Sequence, residues 1–261
     1  MWGDGVLLEQ FDADRCAIIE PRHSDADIPA DGLPETCICP FDQSILDGML
    51  ANVQLTEIGA ILSVNGREPL YSFAYEGHVF AVILARLGAP SVVGTFEELH
   101  HFGVTSVVVF GPCGVINTEQ APDRLVIPTA ALRDEGTSYH YAPAADVISA
   151  QQHSIALMEE VFEDSGLSYE EGTTWTTDAF FRETREKTKQ RAQQGARFVD
   201  MEASALMAWS QFRAVDLYQF FYTADCIDRE GWMQRKEQRV ASLNDFFDVA
   251  LSIAVRASQR S

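Results

Sequence analysis

Thr105-Ser106-Val107-Val108-Val109-Phe110 is the stretch on which the fold turns. It is rich in β-branched residues, has no polar alternation, and is bounded by Gly103 and Gly111, so it reads as a buried central strand. Outward from it, short apolar runs at 36–39, 58–64, 70–75, 78–84, 124–128, 175–178 and 217–223 read as further strands. Between them, helical patterns cover 42–52, 90–102, 145–162, 182–194, 202–212 and 244–256. Strand and helix alternate, which predicts an α/β domain with helices flanking a largely parallel or mixed sheet. No repeat or linker divides the chain, so one domain is expected over 1–261, with an irregular extension over 1–34 where Pro21, Pro29 and Pro34 break any helix.

Composition narrows the field. The 261 residues are 46% hydrophobic and 10% aromatic, enough for a substantial core. No apolar run approaches the roughly 18 to 20 residues of a membrane span, and the N-terminus lacks a signal-peptide pattern. A cytoplasmic protein without a membrane partner is expected. The net charge is −20, with 39 acidic against 19 basic residues. Such a surface repels phosphate backbones, so nucleic acid is not an expected partner. A small anionic substrate would need a local cluster of arginines. The five cysteines (Cys16, Cys37, Cys39, Cys113 and Cys226) are expected to be reduced. Cys37 and Cys39 are spaced wrongly for zinc and project to one face of a strand, so no metal is expected.

In α/β domains ligands gather at the carboxyl ends of strands. Four segments qualify: 86–91, 111–114, 177–181 and 224–225. Ser91 opens a helix after Gly88-Ala89-Pro90, where free N–H groups attract anions; small residues there also serve turn geometry. Phe180 and Phe181 follow a strand and either stack on a planar ring or belong to the core. Asp200-Met201-Glu202 sets two acids at a strand-to-helix junction, either capping the helix or accepting hydrogen bonds from a vicinal diol. Asp225 ends the last strand, as a general acid or as an N-cap.

Four segments together resemble the nucleoside phosphorylase family, which includes uridine phosphorylase, bacterial purine nucleoside phosphorylase and the methylthioadenosine nucleosidases. They are 88–91 (GAPS), 127–141 (IPTAALRDEGTSYHY), 176–181 (TTDAFF) and 200–205 (DMEASA). The resemblance spans about residues 35–256 in the family's order. It implies a single domain around a mixed, barrel-like sheet, assembled as a homo-oligomer of two, three or six copies. Carried over residue by residue, Glu202 is the ribose-diol ligand and Met201 lies against the sugar. Phe180, with Asp178 beside it, binds the base. Asp225 protonates a purine at N7. No resident cofactor is implied; the substrate is a small nucleoside, with inorganic phosphate as co-substrate.

The phosphate site departs from the family. Its Gly-Asp-Pro-x-Arg loop is here Phe41-Asp42-Gln43-Ser44-Ile45, and Val109 and Phe110 stand where a second arginine precedes the Gly-Thr-x-Gly turn. A third arginine, which the family donates to a neighbouring subunit, matches Arg67. Arg86 replaces a glycine near the same site, either as a new anion ligand or as an ion pair with Glu97 or Glu98. The glutamine and arginine with which uridine phosphorylases read the base are Thr184 and Glu186 here. Three functions follow. The first is phosphorolysis of a purine-type nucleoside to base and ribose 1-phosphate, using Arg67, Arg86 and Ser91. The second is hydrolysis on the same fold. The third is nucleoside binding without catalysis. The stretch 133–141 receives no role beyond that of a subunit contact.

Overall fold

In a computed structural model, residues 6–21, 27–116, 125–227, 232–234 and 239–260 are described. Arg124, where one strand was expected to begin, lies outside them. The expected central strand is β5 (Ser106–Ile116), and six of its first residues are buried without interruption. Val107 and Val109 face one core and Val108 and Phe110 the other, so both sides of the sheet are packed. The first core lies under α2 (Ala89–His101) and α5 (Ala203–Arg213). The second lies under α1 (Gln43–Asn52), α3 (Gln152–Asp164) and α6 (Arg239–Ser258).

Two groups of parallel strands build the sheet. The first is β4 (His78–Val82), β1 (Thr36–Pro40), β5 and β10 (Asp216–Ile227). The second is β6 (Leu125–Asp134), β8 (Tyr169–Thr177) and β9 (Ala196–Asp200). They meet antiparallel at two seams, β5 with β9 and β10 with β6. The circuit β5-β10-β6-β8-β9-β5 is therefore closed, the barrel-like sheet that the resemblance implies. The hairpin of β2 (Thr56–Ser63) and β3 (Gly66–Tyr75) extends the open edge beyond β4. Cys37 and Cys39 share a face of β1, their sulfurs 3.6 Å apart.

Three expectations are corrected. The helix read over 145–162 begins only at Gln152, because β7 (Val147–Ser149) pairs antiparallel with Ala130, Ala131 and Leu132 and buries Ile148. The helix read over 182–194 is α4 (Arg185–Gln193), which Thr184 caps by accepting the Lys187 N–H; the residues before it, Phe180–Arg182, form a 3-10 turn. The strand read over 217–223 continues as β10 to Ile227 through a bulge between Thr223 and Asp225. The short strands read over 124–128 and 175–178 lengthen to β6 and β8, and β9 precedes the Asp200 junction.

Phe110 and Phe220 stack across β5 and β10 with ring centres 5.1 Å apart, both fully buried. Phe110→Ala is expected to lower stability by about 3–5 kcal/mol, read from urea unfolding at constant m-value.

Candidate active site

The carboxyl ends of the two parallel groups converge at the β5–β9 seam. Gly114 of β5 stands opposite Val199 of β9 and opposite Asp225 of β10. A Cβ on Gly114 would lie 2.7 Å from Val199 Cγ1 and 3.1 Å from Asp225 Oδ1. Only glycine lets the two strands and the carboxylate approach this closely. The bulge before Asp225 belongs to the same adjustment: one extra residue in β10 turns the acid towards Gly114. Asp225 is therefore a strand residue and not a helix cap.

Asp200 ends β9 with all its acceptor sites filled. Oδ1 accepts from the hydroxyls of Thr174 and Thr176, each at 2.9 Å. Oδ2 accepts from the N–H groups of Glu202 (2.7 Å) and Ala203 (2.6 Å), the first turn of α5. The Glu202 carboxyl turns the other way, and its Oε1 accepts from the Gly88 N–H at 2.6 Å. Gly88 holds φ +92° at the start of α2, a conformation that favours glycine, and Pro90 follows in the first turn. Met201 lies partly buried between the two acids. Burial, then the charge of Asp200, push the Glu202 carboxyl up to about 8, against the pull of the Gly88 and Met201 N–H groups.

Phe180 and Phe181 are 45% and 88% exposed, with ring centres 4.0 Å apart. The core reading of this pair is thereby excluded. Asp178 is exposed and accepts from the Gly136 N–H at 3.0 Å, tying the segment after β8 to the one after β6. Glu183, which spacing did not single out, comes directly after the phenylalanine turn. Burial first, then the charge of Asp225, raise its carboxyl to about 7, with Lys187 opposing. The Cys113 thiol is pushed well up by burial and by Asp200 and Asp225, so it is no nucleophile here.

The stretch 133–141 braces this corner from inside. The buried Arg133 donates from Nε to Ser138 Oγ (2.8 Å) and from NH1 to the Pro143 carbonyl (2.7 Å), above the Tyr139 ring. The buried Glu135 accepts from the Ser138 N–H and, at 2.9 Å, from the Ser204 hydroxyl of α5. At the end of β6, Asp134 gathers Lys187 (2.7 Å), Arg191 (3.1 Å) and the Trp175 indole N–H (2.9 Å), holding α4 in place.

The anion ligands expected from the sequence are each engaged by partners of the chain itself. Arg86 donates to Ser63 Oγ at 3.0 Å and faces Glu68 at 3.5 Å, both on the β2–β3 hairpin. Glu97 pairs with Arg213 instead. Arg67 pairs with Glu57 on the same hairpin. Ser91 sits in the first turn of α2, donating its N–H to Gly88. Beyond β1, Asp42 caps α1 by accepting the Ser44 N–H at 2.9 Å, and the Tyr222 hydroxyl stands 3.5 Å away. The Phe41 side chain lies against Gly111, where an added Cβ would meet it at 2.9 Å. Among the described residues no three His, Cys, Asp or Glu side chains group as metal ligands would, and no helix is long and apolar enough to cross a membrane.

Comparison with known proteins places these features in context. The family model described as "Phosphorylase superfamily" matches residues 33–253. Purine nucleoside phosphorylases of the DeoD type from Bacillus cereus and Bacillus thuringiensis are each 24% identical over 190 residues, covering 71% of this chain and 80% of theirs. The crystal structure of AMP nucleosidase from Bacteroides thetaiotaomicron superposes with a TM-score of 0.69 at 18% identity. That match covers 88% of this chain and 91% of that one, and it shows a shared fold.

Gly114→Ala is expected to separate Asp225 from Val199 and to lower turnover of a cleaved nucleoside at least about tenfold, since sub-ångström misplacement in a site is costly. Steady-state kinetics beside a thermal melt will separate that loss from unfolding.

Proposed function

The chain belongs to the phosphorylase superfamily, and on that footing we propose that it cleaves the N-glycosidic bond of a purine-type nucleoside with water as acceptor. Phe180 stacks on the base and Asp225 gives a proton to N7, which turns the base into a better leaving group. Glu202 holds the 2′- and 3′-hydroxyls and Met201 packs against the sugar. Bond breaking gives the ribose oxocarbenium character; water attacks C1′ and gives up one proton to solvent, from which Asp225 is reprotonated, and the products are free base and ribose.

One observation carries the choice of acceptor. At the end of β1, where phosphorylases hold their anion, Phe41 and Ile45 stand in place of the loop's glycine and arginine, and the Phe41 side chain lies against Gly111, whereas Asp42 is common to both loops. Charge-assisted hydrogen bonds contribute about 1.5 to 3 kcal/mol each, so losing two guanidinium partners weakens phosphate binding by several kcal/mol. A neutral nucleophile needs none of them.

Phosphorolysis is the second reading, favoured by Arg86. Its Nε is buried without a hydrogen-bond partner among the described residues, and Glu68 lies at only 3.5 Å. A modest turn of the side chain gives an anion this guanidinium, with Ser91 and a neighbour's Arg67 completing the site. The family's homo-oligomeric assembly belongs to both readings.

Chromatography of adenosine, inosine, uridine and AMP after incubation, with and without inorganic phosphate, tests the choice. Free purine plus ribose, indifferent to phosphate, is the expected result. Ribose 1-phosphate formed only with phosphate, and lost in Arg86→Ala, would establish the second reading. Asp225→Asn is expected to lower kcat about 10²- to 10⁴-fold while ligand binding persists. Binding without turnover in the unaltered protein would mark a nucleoside-binding protein.

A further inference from the structure

We propose that Asp200, although it touches no substrate, positions Glu202 and makes binding of a ribose diol a proton-releasing event. The inference rests on the reading of Glu202 as the diol ligand.

Positioning follows from the four bonds to Asp200. Thr174 and Thr176 of β8 grip one oxygen, and the first two amides of α5 grip the other. Thr176 extends the grip by accepting the Ser204 N–H at 3.0 Å, and Ser204 donates to Glu135. Strand β8, the start of α5 and the segment after β6 are thus fastened through one carboxylate. Glu202 leaves this clamp with its carboxyl against Gly88, so the distance between α2 and α5 fixes where a diol can dock.

The second consequence is electrostatic. Burial raises the Asp200 carboxyl, while the four donors that fill its lone-pair sites pull the other way and hold a negative charge in place wherever it is ionised. The groups facing Glu202 are Asp200 from β9, Asp178 from the segment after β8, and the N–H groups of Gly88 at the start of α2 and of Met201 beside it. Both neighbouring acids disfavour a second negative charge, and with burial they bring the Glu202 carboxyl to about 8. At neutral pH it is mostly a neutral acid. A vicinal diol can pair with either form, but a carboxylate accepts both of its O–H groups in charge-assisted hydrogen bonds, about twice as strong as the neutral bonds that a carboxylic acid would make. Docking therefore breaks the Glu202 O–H bond, the proton passes to solvent, and the diol hydroxyls take its place.

Two variants separate position from charge. In Asp200→Asn the amide oxygen can still accept the two α5 amides and the NH2 can donate to the threonine hydroxyls, so the clamp survives without its charge. Asp200→Ala removes both. The probes are adenosine, bound by an Asp225→Asn background, and the melting temperature of the ligand-free protein across pH 4 to 10. For Asp200 unaltered, the adenosine Kd should fall about tenfold per pH unit on rising towards pH 8 and then level. The ligand-free protein should lose stability as pH rises from the ordinary carboxyl range to about 8, because the unfolded chain releases the Glu202 proton first. Glu202→Gln should abolish that component. In Asp200→Asn both breaks should move down by about one pH unit or more, narrowing the Kd ratio between pH 6 and pH 9 about tenfold. In Asp200→Ala the Kd should rise about tenfold or more at every pH.

Unmoved breaks in Asp200→Asn overturn the electrostatic half, and an unchanged Kd in a folded Asp200→Ala overturns the positioning half. A melting profile that shifts as expected in a protein that binds adenosine at no pH would sink the functional reading while leaving the Asp200–Glu202 coupling intact.

Discussion

Strand β5 is longer than the neighbour it starts beside, and the site depends on that difference. Its first half lies between β1 and β10; β1 ends at Pro40, and from Gly114 the vacated edge is taken by β9 running the other way. This exchange of partners closes the sheet and brings the ends of two oppositely directed strand groups to one place. In an open parallel sheet, Asp225 and Glu202 would project from strands that never face one another. The glycines at 111 and 114 follow from the exchange: the first leaves room for Phe41, the second for Val199 and Asp225. Glycine is used here for its missing Cβ more than for backbone freedom.

Charge is deployed on the same plan. A chain of net charge −20 places its buried Arg133 on carbonyl oxygens and a hydroxyl, and spends Lys187, Arg191 and Arg213 on Asp134 and Glu97. The corner where β8, β9 and β10 end is left with carboxyls: Asp178, Glu183, Asp200, Glu202 and Asp225. Burial raises three of them: Asp200, and, with the charge of neighbouring acids added, Glu183 to about 7 and Glu202 to about 8, which limits the charge these last two carry at neutral pH.

Much of this was legible in the sequence. The 105–110 run fixed a buried strand because nothing in it can face water, and alternation around it fixed the class. The junction at 200–202 was legible too: its capping reading is realised by Asp200, which accepts from the Glu202 and Ala203 N–H groups, and this leaves the Glu202 carboxyl free for the proposed diol. What escaped notice was set by partners distant in sequence. The segment 145–151 carries a helix-compatible pattern but pairs with β6. Asp225 was expected at a strand end because a bulge has no signature in single residues. Of the two readings of Arg86, the ion pair is met with a different partner: not Glu97 or Glu98 on the helix that follows it, but Ser63 and Glu68 on the β2–β3 hairpin. Glu183 was hidden because its surroundings come from β10 and α4, not from its own loop.

The concentration of carboxyls at this corner also bears on the chemistry. An attacking phosphate dianion would approach acids without the two guanidinium groups of the phosphorylase loop and turn, so each charge resists it. The proposed transition state has the opposite sign: as the base departs, positive charge spreads over the ribose ring oxygen and C1′. A carboxylate against the sugar is attractive to that charge and indifferent to water. Release of the Glu202 proton when the diol docks would place a full negative charge beside the sugar only once substrate is present. The unliganded site would escape the cost of that buried charge, and the transition state would receive it where positive charge develops. Under the proposed hydrolysis, acids that resist an anion are suited to a developing cation, so one set of carboxyls fits both the altered phosphate loop and the proposed roles of Glu202 and Asp225.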